Sequence, residues 1–329
     1  MDAIIVSELR KDFAVARHHS GRGALLRNLV ARGGDTVRAV DDLSFTVAAG
    51  EMVGYVGPNG AGKSTTIKML TGILVPSGGE VSVAGLVPWK QRRQLAGQIG
   101  VVFGQRTQLW WDLPLIESLE LLRHVYRVPQ DRFQRNLDGF REILELDSFL
   151  TTPVRQLSLG QRMRGDLAAA LLHDPPILYL DEPTIGLDVV AKARVREFLL
   201  RVNRDHGVTV LLTTHDMSDI EQLCRRMMII DHGRLLYDGG LDAVRDRFGT
   251  ERTLVVDLSP EDAATGPLDI SGATETRSDG PRRWLRFRRD ETTAASLIAA
   301  VTARYCIHDL TLEEPAIEDI VRRIYEDGM

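Results

Sequence analysis

Apolar residues along the chain fall in short aliphatic runs separated by amphipathic stretches, the pattern of buried parallel strands joined by crossover helices. Strand-like runs occupy 2–6, 44–48 and 52–56, and a helix is predicted from about 62 to 72. Further strands are predicted at "PILYLDE" (176–182), "VTVLLTTH" (208–215) and "RMMIID" (226–231), with helices around 189–205 and 216–223 between them. Residues 116–172 show helical spacing in "IESLELLRHVYRV" and "FQRNLDGFREILELDSFL", punctuated by Pro129 and Pro153. From about 250 the texture changes to "TLVVDLS", a polar stretch, "RRWLRFRRD", an Ala-rich helix at 292–305 and a final helix at 315–326. The expected organisation is a main α/β domain over 1–240, with a helical subdomain at about 106–172, and a small C-terminal α+β domain over 241–329.

Composition narrows the class without naming a function. The 329 residues are 43% hydrophobic and 26% charged, ordinary globular usage, and a net charge of -5 gives no sign of a nucleic-acid partner. Cys224 and Cys306 lie far apart without metal-ligand spacing, which suits a reducing compartment. The start "MDAIIVSELRKDF" lacks the basic head and long apolar core of a secretory signal. No apolar run approaches the roughly 18–20 residues of a bilayer span, since "DLAAALLHDPPILYL" is cut by His173, Asp174, Pro175 and Pro176. A cytoplasmic location is expected, with any membrane role carried through a partner chain. One segment departs from the average. Residues 16–38 hold Arg17, Arg22, Arg27, Arg32 and Arg38 against the single acid Asp35, and read either as a solvated surface loop or as a basic insertion meeting lipid headgroups or a partner's acidic face.

Four motifs carry chemistry. "GPNGAGKST" follows a strand and opens a helix, so the backbone N–H groups of Gly57, Pro58, Asn59, Gly60, Ala61 and Gly62, proline's missing one excepted, are placed to cradle phosphate oxygens. Lys63 would neutralise β- and γ-phosphate charge, Ser64 would ligate Mg²⁺, and Thr65 would hold the α-phosphate side. "ILYLDEP" is an aliphatic strand ending in two acids, of which Asp181 suits Mg²⁺ through water and Glu182 suits the attacking water. Strand alternation is expected to send these adjacent acids to opposite faces. His215 closes another buried-strand run, at the sheet edge where open α/β sheets place ligands, and Gln105 ends "VVFGQ", where its amide suits Mg²⁺ or the water.

In order along 1–240, "GPNGAGKST", Gln105, "LSLGQ", "ILYLDEP", "IGLD" (185–188) and His215 resemble the ATP-binding-cassette (ABC) ATPases. The resemblance implies a P-loop NTPase core of α/β class with an antiparallel β subdomain and a helical subdomain. It implies ATP and Mg²⁺ as ligands, Phe13 stacking on adenine, Glu182 as general base and His215 as γ-phosphate switch. It further implies a homodimer in which Ser158, Gly160 and Gln161 of one copy cap the ATP held by the other, with Asp188 reaching across. "GQRTQLWWDLP", "LSLGQRMRGDLAAALLHDP" and, less specifically, "EEPAIEDIVRRIY" are similar to the ATPase subunits of ABC-2 type exporters, the daunorubicin- and viologen-exporter-like group. Integral membrane ABC-2 type permease subunits on separate chains are then the expected partners, the location is peripheral on the inner face of the cell membrane, and 241–329 is a regulatory or dimerisation domain. The alternative within the family is a soluble ATPase acting on ribosomes or DNA. Leu159 stands where the family's usual signature, Leu-Ser-Gly-Gly-Gln, has its first glycine; it keeps an N–H but tolerates positive φ poorly. Trp110 and Trp111 are expected either in the helical subdomain's core or facing the membrane partner.

Overall fold

The computed structural model describes residues 1–15, 35–104, 106–249, 251–259, 262 and 266–327. Gln105 and most of the basic 16–38 segment lie outside the described residues. The chain divides into two compact units, Met1–Asp238 and Gly239–Met329.

The first unit runs β1 (Asp2–Val15), β2 (Asp35–Ala48), β3 (Met52–Val56), α1 (Lys63–Leu70), β4 (Gly78–Val83), α2 (Arg92–Ala96) and β5 (Ile99–Phe103). A helical region follows, with α3 (Leu115–Tyr126), α4 (Gln130–Ile143), a single 3₁₀ turn and α5 (Leu159–Leu171). The chain then returns through β6 (Ile177–Asp181), α6 (Val189–His206), β7 (Thr209–Thr213), α7 (Met217–Leu223), β8 (Arg226–Asp231) and β9 (Arg234–Gly240), whose last two residues begin the second unit.

The central sheet has the order β5-β6-β7-β3-β8-β9, and its β5, β6, β7, β3 and β8 neighbours pair in parallel. Every residue of β3 and β7 is buried, as expected for strands covered on both faces. β9 closes the edge as a hairpin through His232 and Gly233, whose φ of 46° and 78° suit a two-residue turn.

β1, β2 and β4 form a separate antiparallel sheet of order β2-β1-β4. β1 and β2 are each 14 residues long, well beyond the runs 2–6 and 44–48. The extra length is mostly polar and is bent by bulges, with Glu8 at φ 47° and Asp42 at φ 61°, so a search for aliphatic runs stops short. Ile4, Leu9, Phe45 and Val81 of this sheet share one core with Tyr55, Ile67, Met69 and Tyr179 of the sheet and helix that carry the phosphate loop.

The second unit holds α8 (Leu241–Phe248), β10 (Glu251–Leu258), β11 (Thr274–Asp279), β12 (Arg282–Arg288), α9 (Ala294–Thr302), β13 (Ile307–Glu313) and α10 (Ile317–Asp327). Its antiparallel sheet, ordered β11-β12-β10-β13, buries Leu254, Val256, Leu285 and Phe287 with Leu297 and Val301 of α9. α9 is shorter than the run 292–305 because Thr293 caps it, accepting from Ser296 N at 3.1 Å. Among the described residues no helix is long and apolar enough to cross a membrane. Both cysteines are free, Cys224 buried and Cys306 exposed.

Candidate active site

The order β6-β7-β3 places three strand ends side by side, and the phosphate loop, the two acids and His215 leave from them. They open onto a cleft of about 830 Å³ lined by Gly57, Pro58, Asn59, Gly60, Gly62, Lys63, Ser64, Thr65, Asp181, Glu182 and His215, together with Ala39, Lys68, Ile73, Phe103, Gly104, Arg106 and Ile185. Ala61 does not line it; 2% exposed, it braces the loop, with its N–H to Pro58 O at 3.1 Å and its carbonyl accepting from Gly233 N at 3.0 Å. Gly62 has φ 103°, and a Cβ there would lie 2.5 Å from Ala39 O, so glycine alone lets the loop pass under β2 and turn into α1. Lys63 folds back, donating to Gly57 O at 2.5 Å and Pro58 O at 3.1 Å. Burial pulls its pKa down, while the Glu182 and Asp181 carboxylates oppose that.

Asp181 ends β6 with both oxygens engaged: Ser64 Oγ donates to Oδ2 at 3.1 Å and Thr213 Oγ1 to Oδ1 at 2.6 Å. Glu182 leaves the strand at once, with φ 57°, a left-handed conformation costing a non-glycine residue about 1–2 kcal/mol. This turn corrects the expectation that strand alternation parts the two acids, because it brings Glu182 into the cleft that Asp181 lines. Glu182 N donates to Thr213 O at 3.0 Å, and His215 Nδ1 lies 2.6 Å from Glu182 Oε2. A proton on Nδ1 closes this contact, which fixes the imidazole against the Glu182 carboxylate.

A second pocket, of about 320 Å³, lies at the start of α5 and is lined by Ser158, Leu159, Gly160, Gln161, Arg164, Gly186, Leu187, Asp188, Val190, Ala191 and Arg194. Among the described residues it shares no lining residue with the first. Ser158 is the N-cap of α5 in a reciprocal capping box: Gln161 N donates to Ser158 Oγ at 3.2 Å and Ser158 N to Gln161 Oε1 at 2.9 Å. Leu159 is the first helical residue and is not among the residues of positive φ, so the strain anticipated for leucine does not arise. Asp188 caps α6, accepting from Ala191 N at 2.8 Å.

A strand, phosphate loop and helix, two acids at the next strand end and a paired histidine also describe proteins already known. The ABC transporter family profile matches residues 40–185. The Nod factor export ATP-binding protein I of Burkholderia lata is 34% identical over 305 residues, covering 91% of this chain and 95% of that protein. Its counterpart from Rhizobium leguminosarum bv. viciae is 40% identical over 246 residues, 71% of this chain and 77% of that one. Among solved structures, the dimeric post-hydrolysis state of the ATP-binding cassette MJ0796 bound to ADP and Pi matches with a TM-score of 0.60 and 25% identity, over 72% of this chain and 98% of that one. The chain belongs to the ABC transporter ATP-binding proteins.

It is therefore an ABC ATPase, the ATP-binding subunit of a transporter. Not every residue singled out in this ATPase's sequence reaches the cleft. Phe13 sits on β1 opposite Val37, 37% exposed, with the Lys11 ammonium 5.1 Å from its ring centre; it does not line the cleft, although Ala39 on the neighbouring strand does. Trp110 and Trp111 are 41% and 50% exposed, which removes them from the core, and the Arg162 guanidinium lies 5.6 Å from the Trp111 ring. Thr213, Ile73 and Arg106 were missed. Thr213 carries a readable signal, a hydroxyl at the buried end of "VTVLLTTH" beside the strand of the two acids, whereas Ile73 and Arg106 carry none.

Proposed function

We propose that this ATPase drives an ABC-2 type membrane exporter, as two copies that close over ATP and reopen on hydrolysis. The observation that carries the reading is the Glu182–His215 pair at 2.6 Å, in the same cleft as the phosphate loop. In this reading the loop N–H groups and Lys63 bind the phosphates. Glu182 orients the attacking water and accepts its proton as the water oxygen bonds to the γ-phosphorus and the bond to the β-phosphate oxygen breaks, leaving ADP and phosphate. His215 fixes the Glu182 carboxylate by donating from Nδ1, and with a proton on both ring nitrogens it donates Nε2–H to a γ-phosphate oxygen.

The residues fit Mg²⁺. Ser64 Oγ and Asp181 Oδ2, hard oxygen donors, meet at 3.1 Å in the cleft. Among the described residues no group of three or more His, Cys, Asp or Glu side chains is placed to hold a metal ion, and a hard cation such as Mg²⁺ keeps several water and phosphate ligands of its own. Bound there, it would neutralise developing phosphate charge.

The separation of the two pockets supports the dimer: within one chain Ser158, Gly160 and Gln161 do not line the cleft, so they serve ATP only when a second copy presents them. Asp188 lines the second pocket beside them. The relatives named for Nod factor export support the exporter reading, and the exposed Trp110 and Trp111 supply apolar anchors for integral membrane permease subunits. Peripheral attachment to the cytoplasmic face of the membrane follows from that partnership. Co-expression with an ABC-2 type permease tests it: the two copurify from membranes and ATP turnover responds to the permease, whereas comigration with ribosomes and never with membranes would overturn it.

A further inference from the structure

Outside the cleft, one buried carboxylate joins the segments that carry the proposed chemistry. Asp219 in α7 is 0% exposed. Arg196 of α6 donates to its Oδ1 from Nε at 2.6 Å, with Nη2 at 2.5 Å. The Thr184 hydroxyl donates to Oδ2, and the Thr214 hydroxyl lies 3.4 Å from the same oxygen. Thr184 and Thr214 are themselves buried, 2% and 0% exposed.

The place of each partner in the chain gives the cluster its meaning. Thr184 stands two residues after Glu182 in the turn that leaves β6, Thr214 immediately precedes His215, and Arg196 lies two turns along the helix that Asp188 caps. Arg196 extends the net to Ser218 Oγ at 2.7 Å and Gln222 Oε1 at 3.0 Å, and Lys192 of the same helix binds Asp216, next to His215, at 2.6 Å. A buried charge is retained only when its partners are fixed around it, and a glutamate at φ 57° persists only when its surroundings over-determine it. Asp219 meets both requirements with one group.

We infer that Asp219, through Thr184, Thr214 and Arg196, is a positioning residue for ATP hydrolysis that sets the Glu182 and His215 segments against each other and against the helix capped by Asp188. The inference rests on the reading of Glu182 as base. It leaves nucleotide binding alone, because Lys63, Ser64 and the phosphate loop take no part in the net. Displacing Glu182 by a fraction of an ångström slows the chemical step, and a misplacement of about 1 Å costs on the order of 100-fold.

The test compares Thr184→Val, which keeps the shape and removes the hydroxyl, with Thr184→Ser, which restores it, in the full chain well below its melting temperature. Asp219→Asn is the harsher companion, and because it leaves Arg196 buried beside a neutral group, Thr184→Val decides if it does not fold. We expect Thr184→Val to lower kcat about tenfold with KM for ATP within about twofold of the parent, and Thr184→Ser to recover most of the loss. Parental kcat in Thr184→Val, a Thr184→Ser enzyme as slow as the valine variant, or a rise in KM at unchanged kcat would each overturn the inference. Glu182→Gln, assayed alongside, separates the two levels. If it still turns over, the reading of Glu182 has failed; if it stops while Thr184→Val runs at full rate, only the role of Asp219 has failed.

Discussion

Leu159 lies against Gly186: a Cβ built on Gly186 would come within 2.7 Å of Leu159 Cδ2. The leucine standing in place of the signature's glycine thus packs on the "IGLD" loop that precedes Asp188, joining the two halves of the second pocket within one chain.

Gly186 also sits at φ 70°, so alanine there meets both left-handed strain, about 1–2 kcal/mol, and the leucine methyl. Gly186→Ala should lower the melting temperature of the chain, and Leu159→Ala in the same chain should return the part due to the clash. A thermal double-mutant cycle checks this; strictly additive effects would show that the two side chains do not meet.

Leu159→Gly, made in a Glu182→Gln background, should preserve or strengthen ATP-driven dimerisation, because Ser158 and Gln161 close the capping box without the leucine side chain. Sedimentation velocity with ATP reads the outcome; loss of the dimer would make Leu159 an intersubunit contact in its own right.

How far the sequence reveals this molecule depends on how local each signal is. The phosphate loop, Asp181 and Glu182 are legible because a glycine pattern and a strand end fix them within a few residues. Their mutual geometry is not, since the left-handed turn at Glu182 reverses what strand alternation predicts. The long β1–β2 pair is hidden by its bulges and polar exposed face. Asp219 and Arg196 read as ordinary charged helix positions, and only tertiary packing turns them inward. Leu159 looks like a fault in the signature until the fold sets Gly186 beside it.

Asp166 offers a pH test. On α5 and 5% exposed, it accepts from Thr107 Oγ1 at 2.8 Å and Gln108 N at 3.1 Å. Burial pushes its carboxyl up to about 6, against the pull of those two bonds and of Arg162. The folded state therefore binds a proton more tightly than the unfolded chain, so this group's stabilisation is complete below about pH 4 and is lost as pH rises through 6. Asp166→Asn keeps the shape and the acceptor. It should gain stability relative to the parent between pH 5 and 7.5, on the order of 1–1.5 kcal/mol; urea midpoints at the two pH values measure it, and parallel behaviour would contradict the assignment.

Lys63→Met should weaken ATP binding by roughly 10–100-fold, the worth of one charged phosphate contact, while the melting temperature stays near the parent's. The ammonium is held in a site where burial works against its charge, so the fold loses little with it. Equilibrium titration with a fluorescent ATP analogue reads the affinity, and unchanged binding would remove Lys63 from the phosphate site.

Trp110→Ala with Trp111→Ala should leave soluble ATPase activity and stability near parental values, because both rings are 41% or more exposed, and should abolish copurification with an ABC-2 type permease. Intact assembly would remove the partner-facing role of the pair.

The account's central claim is that one nucleotide is held by the cleft of one copy and the Ser158–Gln161 cap of another. The most direct measurement is the molar mass of the Glu182→Gln variant by light scattering with and without ATP. The account predicts a monomer without ATP, a dimer with it, and a return to monomer when Ser158→Arg is added to block the cap. A Glu182→Gln protein that binds ATP and remains monomeric, or a dimer indifferent to Ser158→Arg, would contradict it.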